Sequence, residues 1–138
     1  MAITRTASSV IAGAAVTLLL LTGCSAGQSK AEACLILKNA LTEISTVLTD
    51  NQADLAGEDA EAAASTISDG ADDFAAETKK VTNNDVKPAA TEVATAVSAM
   101  ADTFTEYAAD PANADPEAIQ AAGKDAGDKI AAIGTVCQ

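Results

Sequence analysis

Apolar residues recur along this chain at steps of three and four. Between residues 30 and 55 they fall on Cys34, Leu37, Leu41, Ile44, Leu48 and Leu55, with Leu35 and Val47 widening the stripe. That spacing is a heptad-like helical seam and not the alternation of a strand. Ser29 followed by Glu32 has the form of a capping box, so a first helix is predicted from about Lys30 to Thr49 or a little beyond. Asn51 occupies a seam position, which suggests that the helix is ending there. Residues 50–58 are polar and read as a connection.

A second helix is predicted from about Asp59 to Val81. Its seam is Ala63, Ile67, Gly70, Phe74, Thr78 and Val81. Acids at its start (Glu58, Asp59, Glu61) and Lys79-Lys80 at its end complement the helix dipole. Asn83-Asn84 reads as a tight turn, because Asn tolerates the left-handed conformation. Asp85 can cap a third helix, with Pro88 confined to the first turn, where no intrahelical N–H is needed. The third seam is Val86, Ala90, Val93, Val97, Met100, Phe104 and Tyr107. Residues 110–115 break the pattern. Asp115-Pro116-Glu117 then reads as N-cap, N1 proline and first-turn acid. The fourth helix carries Ile119, Gly123, Ala126, Ile130, Ile133 and Cys137 on one face, and the pairs Lys124/Asp128 and Asp125/Lys129 on the other.

Four amphipathic helices of similar length joined by short links predict an all-α fold, an antiparallel up-down-up-down four-helix bundle. The competing arrangement is a three-helix bundle with one segment frayed or swapped.

Upstream of these helices lies a different pattern. Arg5 precedes an apolar run from about Ala7 to Leu21 that contains Leu18-Leu19-Leu20-Leu21. The run has the length of a signal h-region and is short for a span, which needs about 20 apolar residues. It ends in Leu21-Thr22-Gly23-Cys24, which resembles the lipobox of bacterial lipoprotein signals. The resemblance covers residues 1–24. It implies a diacylglyceryl thioether on Cys24, cleavage between Gly23 and Cys24, and export. An ordinary secretory signal cut near Ala26 and an uncleaved anchor are the readings it competes with. The Ala- and Thr-rich remainder is also similar in composition to small envelope lipoproteins of actinobacteria. The expected organisation is a signal peptide at 1–23, a lipid-anchored tether at 24–29 and a helical domain at 30–138.

If Cys24 carries lipid, two of the three cysteines remain, Cys34 and Cys137, and an oxidising compartment predicts a bridge between them. In the bundle the start of the first helix and the end of the fourth lie at one end, where these two cysteines fall. Cysteine position and helical period therefore agree. Closing a loop of about a hundred residues stabilises by roughly 4–5 kcal/mol in the chain-entropy model, before native strain is subtracted. The core is rich in Ala and Val, so it buries little apolar area per residue and a staple matters.

Charge narrows the function. The formal net charge is −12, and Arg5 leaves with the signal, which makes the remainder one unit more acidic. No basic stripe exists to displace phosphate counterions, so nucleic acid is not an expected partner. The net charge also argues against a face lying on anionic headgroups.

The chain has no His, which removes imidazole metal sites and His-based triads. Asp69, Asp72 and Asp73, and Asp110 with Asp115, lack EF-hand spacing and read as solvated faces. No cofactor, metal or catalytic residue is expected. What remains is a membrane-anchored extracytoplasmic lipoprotein, a non-enzymatic interaction or scaffolding module whose partner is an envelope protein. The alternative is a carrier or sensor of a small apolar ligand held among Leu48, Ile67, Phe104 and Ile119. Leu55, Phe104 and Tyr107, at the end away from the cysteines, are the candidate contact residues.

Overall fold

The computed structural model describes residues 27–138. Its elements are α1 (Lys30–Asn51), a single 3₁₀ turn (Asp54–Ala56), α2 (Ala60–Thr78), α3 (Lys87–Ala109) and α4 (Pro116–Val136). Short connections return each helix alongside the one before it, giving the four-helix bundle, and Cys34 is bonded to Cys137.

Local chemistry explains the boundaries. Ser29 Oγ accepts from the Glu32 N–H, and the Glu32 carboxylate accepts from the Ser29 N–H at 2.9 Å, a complete capping box. The backbone hydrogen bond from Ser29 holds the Glu32 carboxyl below its ordinary value. The cap is therefore intact above the usual glutamate range and is lost as pH falls through the lowered folded-state value. Asp115 Oδ1 accepts from the Glu117 N–H at 2.9 Å, ahead of Pro116 in the first turn of α4. Threonine is a mediocre helix former, yet Thr42, Thr46, Thr91, Thr95 and Thr103 each donate to the carbonyl four residues back. Their hydroxyls are satisfied without leaving the helix surface.

Three local expectations change. Helix α2 ends at Thr78 and not Val81, with Lys79 as its C-cap. The turn at Asn83-Asn84 contains no left-handed residue. Asn83 bends the chain through its side chain instead, Oδ1 accepting from the N–H groups of Asp85 and Val86. Asp85 consequently does not cap α3. Val86 occupies that position, without a side-chain cap.

The core is built from α1, α2 and α3. Leu37, Ile67, Val81, Val86, Val93 and Val97 are its largest fully buried side chains. Helix α4 contributes Ile133 to this cluster, and Ala126 to a smaller one with Ala96 and Met100. Ala126 and Ile133 are the buried residues of α4. Helix α1 packs on α2, α2 on α3, and α3 on α4, while α1 and α4 share no comparable seam. The buried line of α1 accordingly runs Ala33, Leu37, Ala40, Ile44. Cys34, Leu41 and Leu48 are half-buried, and Leu35 is exposed at 58% rather than widening the core stripe.

Helices α1 and α2 meet closely at Gly70. A Cβ there would lie 3.0 Å from Val47 Cγ1 and 3.3 Å from Ile44 Cδ1. Alanine gains about 1 kcal/mol of helix propensity, and the side-chain tips it meets need give by only tenths of an ångström. Gly70→Ala should therefore be close to neutral. Gly70→Leu should cost about 1–3 kcal/mol by overpacking. Urea melts of both variants check this. Equal stability of the leucine variant and the parent would mean that the helices are not held at this distance.

Candidate functional site

The open side between α1 and α4 forms a groove of about 920 Å³. Leu35, Lys38, Leu41 and Ser45 form one wall, Ile130, Ile133 and Gly134 the other, and Cys34 and Cys137 also line it. On α1 it runs from Ala31 to Thr46, about 22 Å at 1.5 Å per residue. Leu35 and Ile130, at 58% and 38% exposure, are the two exposed large apolar residues among those described. Lys38 is the one charged residue in the lining, in a chain with twenty acidic residues. Thr42 and Thr46 also line the groove, with their hydroxyls already donated to Lys38 and Thr42 carbonyls.

The bridge at this end has an S–S distance of 2.03 Å and a Cα separation of 5.7 Å. It joins the two helices that share no seam. Lys30 Nζ adds a 3.0 Å hydrogen bond to the Gln138 carbonyl. Gln28, just ahead of α1, is fixed to the α2–α3 turn. Its Oε1 accepts from the N–H groups of Thr82 (2.8 Å) and Asn83 (3.2 Å). Its Nε2 donates to the Lys80 carbonyl (3.1 Å), and its own carbonyl accepts from Asn83 Nδ2 (2.9 Å). Gln28 thus belongs to the folded domain and not to the tether. We call this end, comprising the start of α1, the α2–α3 turn and the end of α4, the base. Cys24 lies outside the described residues.

The far end is different. Leu55 sits in the 3₁₀ turn, half-buried against the main core. Phe104 is half-buried between the two clusters. Tyr107 is half-buried beside a shallow pocket of about 260 Å³ that it shares with Asp110, Asn113 and Ile119. The three residues share this end of the molecule, each turned partly into the protein. Of Leu48, Ile67, Phe104 and Ile119, Ile67 is fully buried in the main core, Leu48 and Phe104 pack against it, and Ile119 lines the shallow pocket beside Tyr107.

Charge is sorted along the bundle. Residues 50–61 and 102–117 carry Asp50, Asp54, Glu58, Asp59, Glu61, Asp102, Glu106, Asp110, Asp115 and Glu117 and no basic residue. All lie at the far end. Lys30, Lys79, Lys80 and Lys87 lie at the base, all exposed. Lys124 pairs with Asp128 as expected. Lys129 pairs not with Asp125 but with Glu92 of α3, at 3.0 Å, and so ties α4 to α3. Hydrogen bonding to these carboxylates raises the pKa of both lysines.

Among the described residues no helix is long and apolar enough to cross a membrane, and no three acidic or cysteine side chains converge as a metal site. The exposed leucine at position 35 and the Gln28 clamp escaped sequence reasoning. Leu35 lies off the heptad and could have been flagged by that offset. Gln28 carries no signal, since its partners lie 52 to 55 residues away. No protein-family model, curated protein or solved structure matches the chain.

Proposed function

We propose that this chain is a lipid-anchored envelope protein that works by holding a partner protein, without catalysis, and that the partner lays an amphipathic helix into the α1–α4 groove. The observation that supports this reading is the missing fourth seam of the bundle. Four helices normally close a ring of neighbours. Here α1 and α4 are stapled at one end and otherwise leave an apolar trough. Its length of about four helical turns suits a helix presenting anchors at i, i+3 or i+4, and i+7. Ligand pockets enclose 70–90% of a small molecule. A trough open along its length would leave one side of such a ligand wet, so an apolar carrier is the second reading.

Export and the lipid on Cys24 belong to the same proposal. With Cys34 and Cys137 bonded to each other, Cys24 is the one cysteine of the sequence outside that bond, in keeping with a separate use for it.

Crosslinking on intact cells followed by co-purification tests the groove. Leu35→Glu and Ile130→Glu place a charge on exposed positions, so stability should change by less than about 0.5 kcal/mol. Capture should fall at least about thirtyfold, as for a central interface residue. Undiminished capture by both variants, with loss on Leu55→Ala and Tyr107→Ala at unchanged melting temperature, would move the contact to the far end and end the groove reading.

A further inference from the structure

The net charge of this chain argues for repulsion from an anionic surface, but charge placement argues otherwise. Helices of 19 to 23 residues are about 28–35 Å long. Salt screens exposed charges over about 10 Å at 0.1 M. The acidic far end is therefore electrostatically remote from anything that touches the base. What the base presents is Lys79 and Lys80 leaving α2 and Lys87 opening α3. Lys79 and Lys87 border one cleft between the two helices and form no ion pair among the described residues. Lys80 is paired with Glu77. The carboxylates at this end are Glu32 in its capping box, Glu77 on Lys80 and Asp85 in the turn, so the base, with Lys30, sets four lysines against three acids.

The Gln28 clamp joins the lysine turn to the residues that lead back to Cys24. Four residue steps separate Cys24 from Gln28, roughly 14 Å at full extension. Gln28 bonds directly to Lys80, Thr82 and Asn83. A lipid on Cys24 would therefore hold this turn within a short reach of headgroups, where weak contacts count because the local concentration is high.

We propose that the base of the bundle, through Lys79, Lys80 and Lys87, seats on anionic phospholipid headgroups, and that the Gln28 clamp holds it there. The inference rests on the lipid-anchor reading. It makes the acidic end and the length of the groove point away from the membrane. Each lysine near such a surface strengthens attachment about fivefold and each acid weakens it similarly, so the net gain at the base is about fivefold.

The test is amine acetylation of the full mature protein on vesicles, read by peptide mass spectrometry. Phosphatidylcholine vesicles are compared with vesicles containing a third phosphatidylglycerol. Lys79, Lys80 and Lys87 should react at least fivefold more slowly on the anionic vesicles, with Lys38 and Lys124 unchanged. The protection should vanish in 1 M salt. Gln28→Ala should remain membrane-bound and helical yet lose most of it. Equal reactivity of the three base lysines on both vesicles overturns the proposal. So does protection that persists in K79E/K80E/K87E at its remaining lysine, Lys30. Vesicle flotation and intact mass separate this from the anchor. A chain without lipid mass sinks the anchor reading. The base surface then stands only if that chain floats with anionic vesicles and not with neutral ones.

Discussion

Removing the Cys34–Cys137 bond should lower the stability of this domain by about 4–5 kcal/mol. The bond closes a loop of 103 residues, and chain entropy alone gives about 4.7 kcal/mol for a loop of that size. At roughly 4 °C per kcal/mol for a domain of this length, the melting temperature should fall by about 15–20 °C. Small domains have a net stability of only about 5–15 kcal/mol, so the reduced protein should be marginal. The architecture also specifies where it fails first. Helix α4 has no broad seam with α1 and buries only Ala126 and Ile133. Without the bond it is held by α3, by Ile133 at the main core, by Ala126 in the smaller cluster and by the exposed Lys129–Glu92 pair. Thermal melts of Cys34→Ser/Cys137→Ser, and of the parent with and without reductant, measure the size of the effect. Hydrogen exchange should show the amides of α4 losing protection before those of α2 and α3. A fall of less than about 5 °C, with uniform exchange, would mean that α3 alone is enough to seat α4.

The second large effect concerns position in the cell. On the proposed lipid anchor, Cys24→Ser should leave the protein unprocessed or released from the membrane. Each buried methylene of a lipid contributes about 0.8 kcal/mol, and two acyl chains give stable anchoring where one gives only marginal binding. Partitioning should therefore change by orders of magnitude, while helicity and melting temperature stay the same, since the domain is capped at Ser29 and clamped at Gln28. Fractionation with intact-mass measurement decides it. A mature protein that begins downstream of Cys24, near Ala26, and carries no added lipid mass would remove the anchor, and with it the reach that brings the base to a surface.

Several features of the fold and the candidate sites were legible in the residues because they are local. The seam of α3 from Val86 to Met100 is buried as its spacing predicts. The caps at Ser29 and Asp115 form with the partners their spacing names. The bond between Cys34 and Cys137 needed one step more, the return of α4 to the start of α1, which follows from four helices and three short links. The far-end residues were placed at the right end, but their exposure was not legible. Leu55 and Phe104 rest partly on the core.

By itself, then, the sequence determined the four helices, the caps of α1 and α4 and the helix order, from which the covalent staple follows. Each depends on periodicity or on atoms within a few residues along the chain. Tertiary structure alone decided which flank of each stripe was covered. Ala33, Ala40 and Ile44 are buried because they fall on the packed side of α1, where α2 comes close to Ile44 at Gly70. Leu35, Leu41 and Ile130 border a groove because α4 docks on α3 and not on α1. The same holds for Lys129, whose partner is Glu92, 37 residues away, and not Asp125 four residues away. It holds also for Gln28, and for the gathering of four lysines at the base while the far end carries acids alone. A net charge is a sum over the chain, but a neighbouring surface feels only the charges within about a Debye length of it, and folding chooses which those are.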